Sequence, residues 1–329
     1  MNKIVLVFVF GIVFCTSCFD KNKKQNSEPL AKLNTVSIII DDELWNGEIG
    51  DTIRNKFASP VPGLSQEEPL FSINQYPVKL LEGFMTNSKN IIVVKKEAKS
   101  NFSIEENQVK NPQFVARFSG NTVQELLDSI DCNSNQIIQK IKQSELKLYQ
   151  KQLANQELVD VKPLSKKFHI TLTIPSKFRV MLKNRNFIWY KKEITSGSVS
   201  LIAYQLPSKS FTKQDYTVDR VLKIRDSIGF RYIHGAVSRS RMTTERGYLP
   251  FFSTTEIYGK TAFETRGNWE LSNDFMSGPF LNYVIVDKKN NRILVLEGFV
   301  YAPSKQKRDI MFELEAIIKS VVFLKKDKK

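Results

Sequence analysis

Histidine and cysteine are the scarcest reactive residues of this 329-residue chain: 2 and 3 copies respectively. Zinc sites draw on both at set spacings, so the shortage argues against one. A nucleophilic thiol needs a basic neighbour to form its thiolate. Cys132, in "SIDCNSNQ", has neither His169 nor His234 near it in sequence and reads as a structural thiol on or beside a helix. The chain contains no G-x-S-x-G stretch, which leaves a Ser-His-Asp triad without support. His169 begins a strand-like segment and His234 adjoins Gly235, so both read as structural. An intramolecular disulfide framework is excluded once the leader is removed. Beyond residue 18 there is no further apolar run near the ~18 residues that a spanning helix requires.

The leader is the most informative stretch that is present. Met1, Asn2 and Lys3 form a short positive region, and Ile4 to Phe14 carry no charge. This run is too short to span and gives way to Thr16 and Ser17, which makes it a signal peptide. In "FCTSC", Cys18 follows two small residues, whereas Cys15 follows the bulky Phe14. The stretch resembles a bacterial lipobox, which implies cleavage before Cys18 and lipidation of its thiol; Cys15 stands where leucine is usual. Two or more acyl chains anchor a protein stably. The membrane is therefore an expected partner, reached through the lipid on Cys18. "FDKNKKQNSEPLAKLNT" is polar, charged and proline-containing and suits a flexible tether. In the lipoproteins this tether resembles, an acidic run just after the cysteine directs the protein to the outer surface; here a lone Asp20 is followed by Lys21, Lys23 and Lys24, so the resemblance implies an outer-membrane lipoprotein facing the periplasm.

The net charge is +15, yet the lysines fall in scattered pairs (Lys95 and Lys96, Lys166 and Lys167, Lys191 and Lys192, Lys288 and Lys289). No single basic stripe or nucleic-acid motif appears, so nucleic acid is not an expected partner. A basic surface suits anionic lipid or acidic glycan, or serves only to keep the domain soluble. The 41% hydrophobic content and 23 phenylalanines describe a folded chain with ample core.

Periodicity divides that chain in two. Val36 to Ile40 reads as a buried strand, Asp51 as the cap of a short helix through Phe57, and "PVPG" as a break. "EPLFSINQY", "IIVV" and "QFVARFS" read as strands. A helix led by Pro77 would carry Leu80, Leu81, Phe84 and Met85 on one face. Thr122 and Glu125 form a capping box before a long helix with a polar interruption at Asn133 to Asn135. The second half supplies "HITLTIPSKFRVML", "NFIWYKKE", "SVSLIAYQL", "STTEIYG", "TAFETRGNWELS", "FLNYVIVD" and "RILVLEGFVYA" as strands, with "DKKNN" as a hairpin loop. Thr217 caps one helix, and Ser304 starts another with Ile310, Leu314, Ile317, Ile318 and Val321 on one face. The expected fold is α+β: two sheet-plus-helix, sandwich-like domains at 36–158 and 163–324, after a signal at 1–17 and a tether at 18–35.

Several residues are candidates for chemistry. Asp41, Asp42 and Glu43 end the first strand, with Glu48 and Asp51 close by; such carboxylates can bind Mg²⁺ or Ca²⁺ or act as acid and base, or simply face water beside a helix. No other acidic cluster completes a metal site, so no metal or cofactor is assigned. Glu67 and Glu68 read as surface residues on a proline-rich loop. Asp215, Asp219 and Asp226, interleaved with Arg220 and Arg225, read as a charged helix face. In "NWELSNDFMSGPF", Trp269, Phe275, Met276 and Phe280 surround a glycine–proline turn and can line a ligand or partner groove, or fold as a loop over the core.

From "TIPSKFRV" to "MFELEAIIKSVVF" the second half resembles the Mog1 and PsbP type of α/β/α sandwich. The stretches "DDELWNGEIGDTIRNKF", "PVPGLSQEEPLFSINQYP", "RGNWELSNDFMSGPF" and "NNRILVLEGFVYAPSKQKRD" resemble a Bacteroidetes-type lipoprotein family of unknown function. That resemblance implies an envelope address and a two-part architecture and brings no catalytic residues. The expectation is a non-catalytic binding or adaptor protein of the cell envelope, with an envelope protein as partner. The alternatives are a metal-dependent or hydrolytic enzyme at Asp41, Asp42 and Glu43, and a binder of anionic lipid or glycan.

Overall fold

The β-branched run Thr35–Ile39 forms strand β1, followed by two short helices, α1 (Asp42–Trp45) and α2 (Glu48–Phe57). The computed structural model describes residues 32–81, 88–107, 113–211 and 216–325. The leader, Cys18, most of the tether, Phe84, Met85, Asp215 and the end of the lysine-rich tail lie outside the described residues. Gly50 lets α2 follow α1 closely, since a Cβ there would stand 1.8 Å from the Trp45 carbonyl oxygen. Asp51 lies within α2, not at its cap, and pairs with Arg54 at 2.7 Å.

Strands β2 (Ser72–Tyr76), β3 (Asn90–Lys96), β4 (Asn101–Glu106) and β5 (Phe114–Gly120) complete the first sheet. Its order is β2-β1-β3-β5-β4, parallel except for β4. Parallel strands are covered on both faces and read as continuous apolar runs, which accounts for "IIVV". One face packs Val36, Ile38, Ile92 and Val94 against Ile53 and Phe57 of α2. Helix α3 (Val123–Ala154) adds Leu126, Ile130, Ile137 and Ile141 to that core. On the other face Ile39, Ile91, Val93 and Val115 meet Tyr76, Val78 and Leu81.

Helix α3 starts at the capping box expected from sequence: the Glu125 N–H donates to Thr122 Oγ1 at 3.2 Å, and Glu125 Oε2 accepts the Asn121 N–H at 2.8 Å. It runs on for 32 residues without a break at Asn133 to Asn135. Ser134 is buried in that stretch and its hydroxyl donates to the Ile130 carbonyl, so the polar residues are absorbed into the helix.

The second half begins with α4 (Lys162–Phe168) and β6 (Ile170–Thr171). Strands β7 (Arg179–Asn184), β8 (Phe187–Ile194) and β9 (Gly197–Pro207) follow, then α5 (Val218–Tyr232) and β10 (Met242–Thr244). Strands β11 (Phe251–Ile257), β12 (Lys260–Leu271), β13 (Ser277–Asp287) and β14 (Arg292–Tyr301) precede α6 (Arg308–Lys319) and β15 (Val322–Phe323). The antiparallel order is β10-β12-β13-β14-β9-β8-β7, with β11 also on β12; β15 pairs separately with β6.

Helix α5 covers one face of this sheet with Val221 and Leu222 over Phe280, Val295 and Phe299. Helix α6 covers the other with Leu314, Ile317 and Ile318 over Tyr283, Leu294 and Leu296. The layers are thus helix, sheet, helix. Tyr149 and Leu153, at the end of α3, join this second core. One helix therefore belongs to both cores, and Leu33–Lys329 forms one compact unit.

Three further expectations change. "HITLTIPSKFRVML" is two separate strands, because Pro175 leaves the chain to bridge Leu158 instead. The last helix begins at Arg308 rather than Ser304, where the buried Glu68 carboxylate accepts the Lys307 and Arg308 N–H groups at 2.6 and 2.9 Å. Arg225 is not on a solvated face: it is 3% exposed, binds Glu297 at 2.9 Å and lies 3.8 Å over the Phe280 ring.

Candidate functional site

The α3 positions 139, 142, 143 and 146 recur at helical spacing and share one face. They carry Gln139, Lys142, Gln143 and Leu146. The α6 positions 308, 311, 312, 315 and 319 do the same with Arg308, Met311, Phe312, Glu315 and Lys319. These two stripes line a cavity of about 190 Å³ at the junction of the two cores, closed by Val61, Leu70, Asn34 and Arg266. Its apolar side is Val61, Leu70, Leu146, Met311 and Phe312, and its basic side is Lys142, Arg266, Arg308 and Lys319.

Most of those charges are already matched. Arg266 donates to Glu315 Oε2 at 2.7 Å and also to Glu264. Lys319 donates to Glu315 Oε1 at 2.6 Å. Burial works to raise the Glu315 pKa, but Arg266 and then Lys319 outweigh it and hold the carboxyl well below the usual range. Arg308 is turned to the Pro69 carbonyl at 2.9 Å and to Asp309 at 2.8 Å. Lys142 differs. It makes no ion pair among the described residues, and the cleft walls, then Arg266, lower its pKa. An ammonium in that position gains from an incoming anion.

A polar floor fixes the junction behind the cleft. Buried Glu145 accepts the Asn34 backbone N–H at 3.0 Å and Asn90 Nδ2 at 2.9 Å, while Asn34 Nδ2 donates to Asp309 at 2.8 Å. Burial raises the Glu145 pKa. These bonds tie the residue before β1 to β3, α3 and α6, so the cavity walls are held by directional contacts.

The residues singled out in sequence fall elsewhere. Asp41 precedes α1, and Asp42 and Glu43 occupy its first turn; all three are exposed. Asp42 accepts Gln75 Nε2 at 3.0 Å. Among the described residues no group of three or more His, Cys, Asp or Glu side chains could hold a metal ion. Trp269, Phe275, Met276 and Phe280 do not share a groove. Trp269 and Phe280 are buried beneath α5, with Trp269 Nε1 donating to the Val300 carbonyl at 3.1 Å, and Met276 packs partly against the same core. Phe275 alone projects into solvent, 102% exposed. Cys132 is exposed on α3. No described helix is long and apolar enough to cross a membrane. Sequence reasoning passed over the cleft because each of its stripes looks like an ordinary amphipathic helix; the one signal was Leu146 among Gln139, Lys142 and Gln143.

Comparison with known proteins adds little chemistry. No curated protein matches the chain. Among solved structures, the Ran-binding protein Mog1p of Saccharomyces cerevisiae is similar at 10% identity and a TM-score of 0.34, covering 52% of this chain and 96% of that one. A point mutant of Mog1 gives 9% identity and a TM-score of 0.29 over the same shares. Residues 30–154 match the family described as Domain of unknown function (DUF8532), and residues 157–320 match Domain of unknown function (DUF4837). The chain accordingly carries two domains of unknown function in tandem, DUF8532 followed by DUF4837.

Proposed function

We propose that this chain is a lipid-anchored envelope protein that binds rather than catalyses, and that its ligand site is the junction cleft. The observation that carries the reading is the pairing of an apolar wall with Lys142, a cation that makes no ion pair among the described residues, at a cavity between two cores. Ligand sites favour domain interfaces and consist of apolar walls with few placed polar groups. At about 190 Å³ the cavity is below the usual ~300 Å³ floor for a small-molecule pocket. The fitting occupant is a short apolar chain or ring bearing an acid group, alone or as the end of a larger envelope molecule. Anchoring at Cys18, an outer-membrane address and a periplasmic face belong to the same proposal, supported by the small residues Thr16 and Ser17 before that cysteine. Mass spectrometry of the mature N-terminus checks the anchor; an unmodified start elsewhere contradicts it.

The cleft is tested by calorimetry with benzoate, one aromatic ring carrying one acid group. Saturable binding is expected with the wild type, about tenfold weaker binding with Lys142→Ala, a loss of ~1.4 kcal/mol, and none with Leu146→Trp, which fills the cavity. Equal titrations for all three proteins would sink the assignment.

A further inference from the structure

A second cavity, of about 340 Å³, lies at one end of the antiparallel sheet. Lys167 and His169 enter it from the end of α4, Asn186 from the β7–β8 turn, Gln205 from β9, and Asn290 and Arg292 from the β13–β14 hairpin. Leu206 and Pro207 complete the lining, which contains no carboxylate. Three basic side chains therefore converge beside three amides and two apolar residues.

Arg292 is the telling member. It is 7% exposed, its Nε donates to Asp287 Oδ2 at 2.9 Å and its Nη1 to Gln205 Oε1 at 2.9 Å. Its Nη2 is buried with no acceptor among the described residues. Buried donors are nearly always paired, and one on a charged group is costly to leave alone. Asp287 does not neutralise the site, because its single carboxylate also holds Lys260 at 3.0 Å. Two cations thus share one anion, and Lys167 adds a further positive charge.

His169 is the left-handed cap that ends α4, φ 49°, with its N–H donating to the Ser165 carbonyl at 3.0 Å, a common way for a helix to terminate. Here the conformation places His169 among the cavity's lining residues, between α4 and β6.

We infer that this cavity is an oxyanion site for a phosphate group, with Lys167 Nζ and the His169 ring as its donors and the Arg292 guanidinium as a fixed positive charge in its wall. Guanidinium and ammonium groups suit phosphate because charge-assisted bonds to it are short and strong. The shared chemistry is a terminal phosphate, supplied either as free phosphate or as a phosphomonoester lipid headgroup. Its standing does not depend on the junction cleft, whose residues it does not include.

The test uses the full chain in detergent at constant ionic strength, titrated with inorganic phosphate and followed by calorimetry. Saturable binding at one site is expected, and at least about tenfold weaker binding in a Lys167→Ala, His169→Asn double variant. Asparagine tolerates the left-handed backbone, so the fold is retained at that position. A parallel arm compares capture on vesicles of phosphatidic acid and of phosphatidylcholine. Capture on phosphatidic acid that free phosphate competes away supports the headgroup; phosphate binding without capture supports the free ion. Absence of both, or equal binding by wild type and double variant, overturns the site.

Discussion

Glu68 shows how far a single side chain can be misread. Its neighbours, prolines and Glu67, describe a surface loop, yet it is 4% exposed. Its two oxygens receive the first N–H groups of a helix 239 and 240 residues further along the chain. Helix α6 has no side-chain cap of its own, since Lys307 occupies the capping position. A carboxylate at a helix N-terminus satisfies orphan donors and complements the dipole. Glu68→Ala is expected to cost about 1–2 kcal/mol, as lost caps do, read as a lower urea midpoint with the slope unchanged. A midpoint equal to the wild type would show that the cap contributes nothing. Arg225 carries the same lesson: its i,i+4 neighbours describe a solvated face, while its partner Glu297 is 72 residues away. Local pattern reports the helix correctly but is silent on what the helix meets.

At the scale of elements, the sequence was most readable where packing repeats. The capping pairs at Thr122 and Thr217 stand where the spacing put them, with Oγ1 accepting at 3.2 and 3.3 Å. Long alternating or apolar strands such as β9, β12, β13 and β14 were visible for the same reason. Strand β4, "NFSIEE", and the three-residue β10 were not read, because neither carries a strong periodic signal and each is held by its neighbour. The link between α6 and β12 has a pH signature. Glu315 has its folded pKa depressed by Arg266 and Lys319, so its contribution is complete above the ordinary carboxylate pKa of ~4.3 and is lost as pH falls toward the folded value. Urea titrations should show stability declining with acid below that range, and Glu315→Gln should flatten this decline. An unchanged decline in the variant would place the acid sensitivity elsewhere.

For the whole molecule, the sequence signalled two sheet-and-helix parts but not their union. The mostly parallel order of the first sheet was hidden, because strand runs carry no label of their neighbour. The cleft was hidden too, since its α3 wall lies more than a hundred residues before the walls from β12 and α6. Helix α3, about 48 Å long at 1.5 Å per residue, brings them together by contributing Ile137 and Ile141 to one core and Tyr149 and Leu153 to the other. A cavity formed in this way exists only in the joined structure. The most direct measurement is native mass spectrometry of the full chain purified from its own cells, beside the Leu146→Trp variant. A discrete added mass of an acidic, partly apolar molecule is expected on the wild type and none on the variant. The same added mass on both proteins, or none on either, would contradict binding in the cleft.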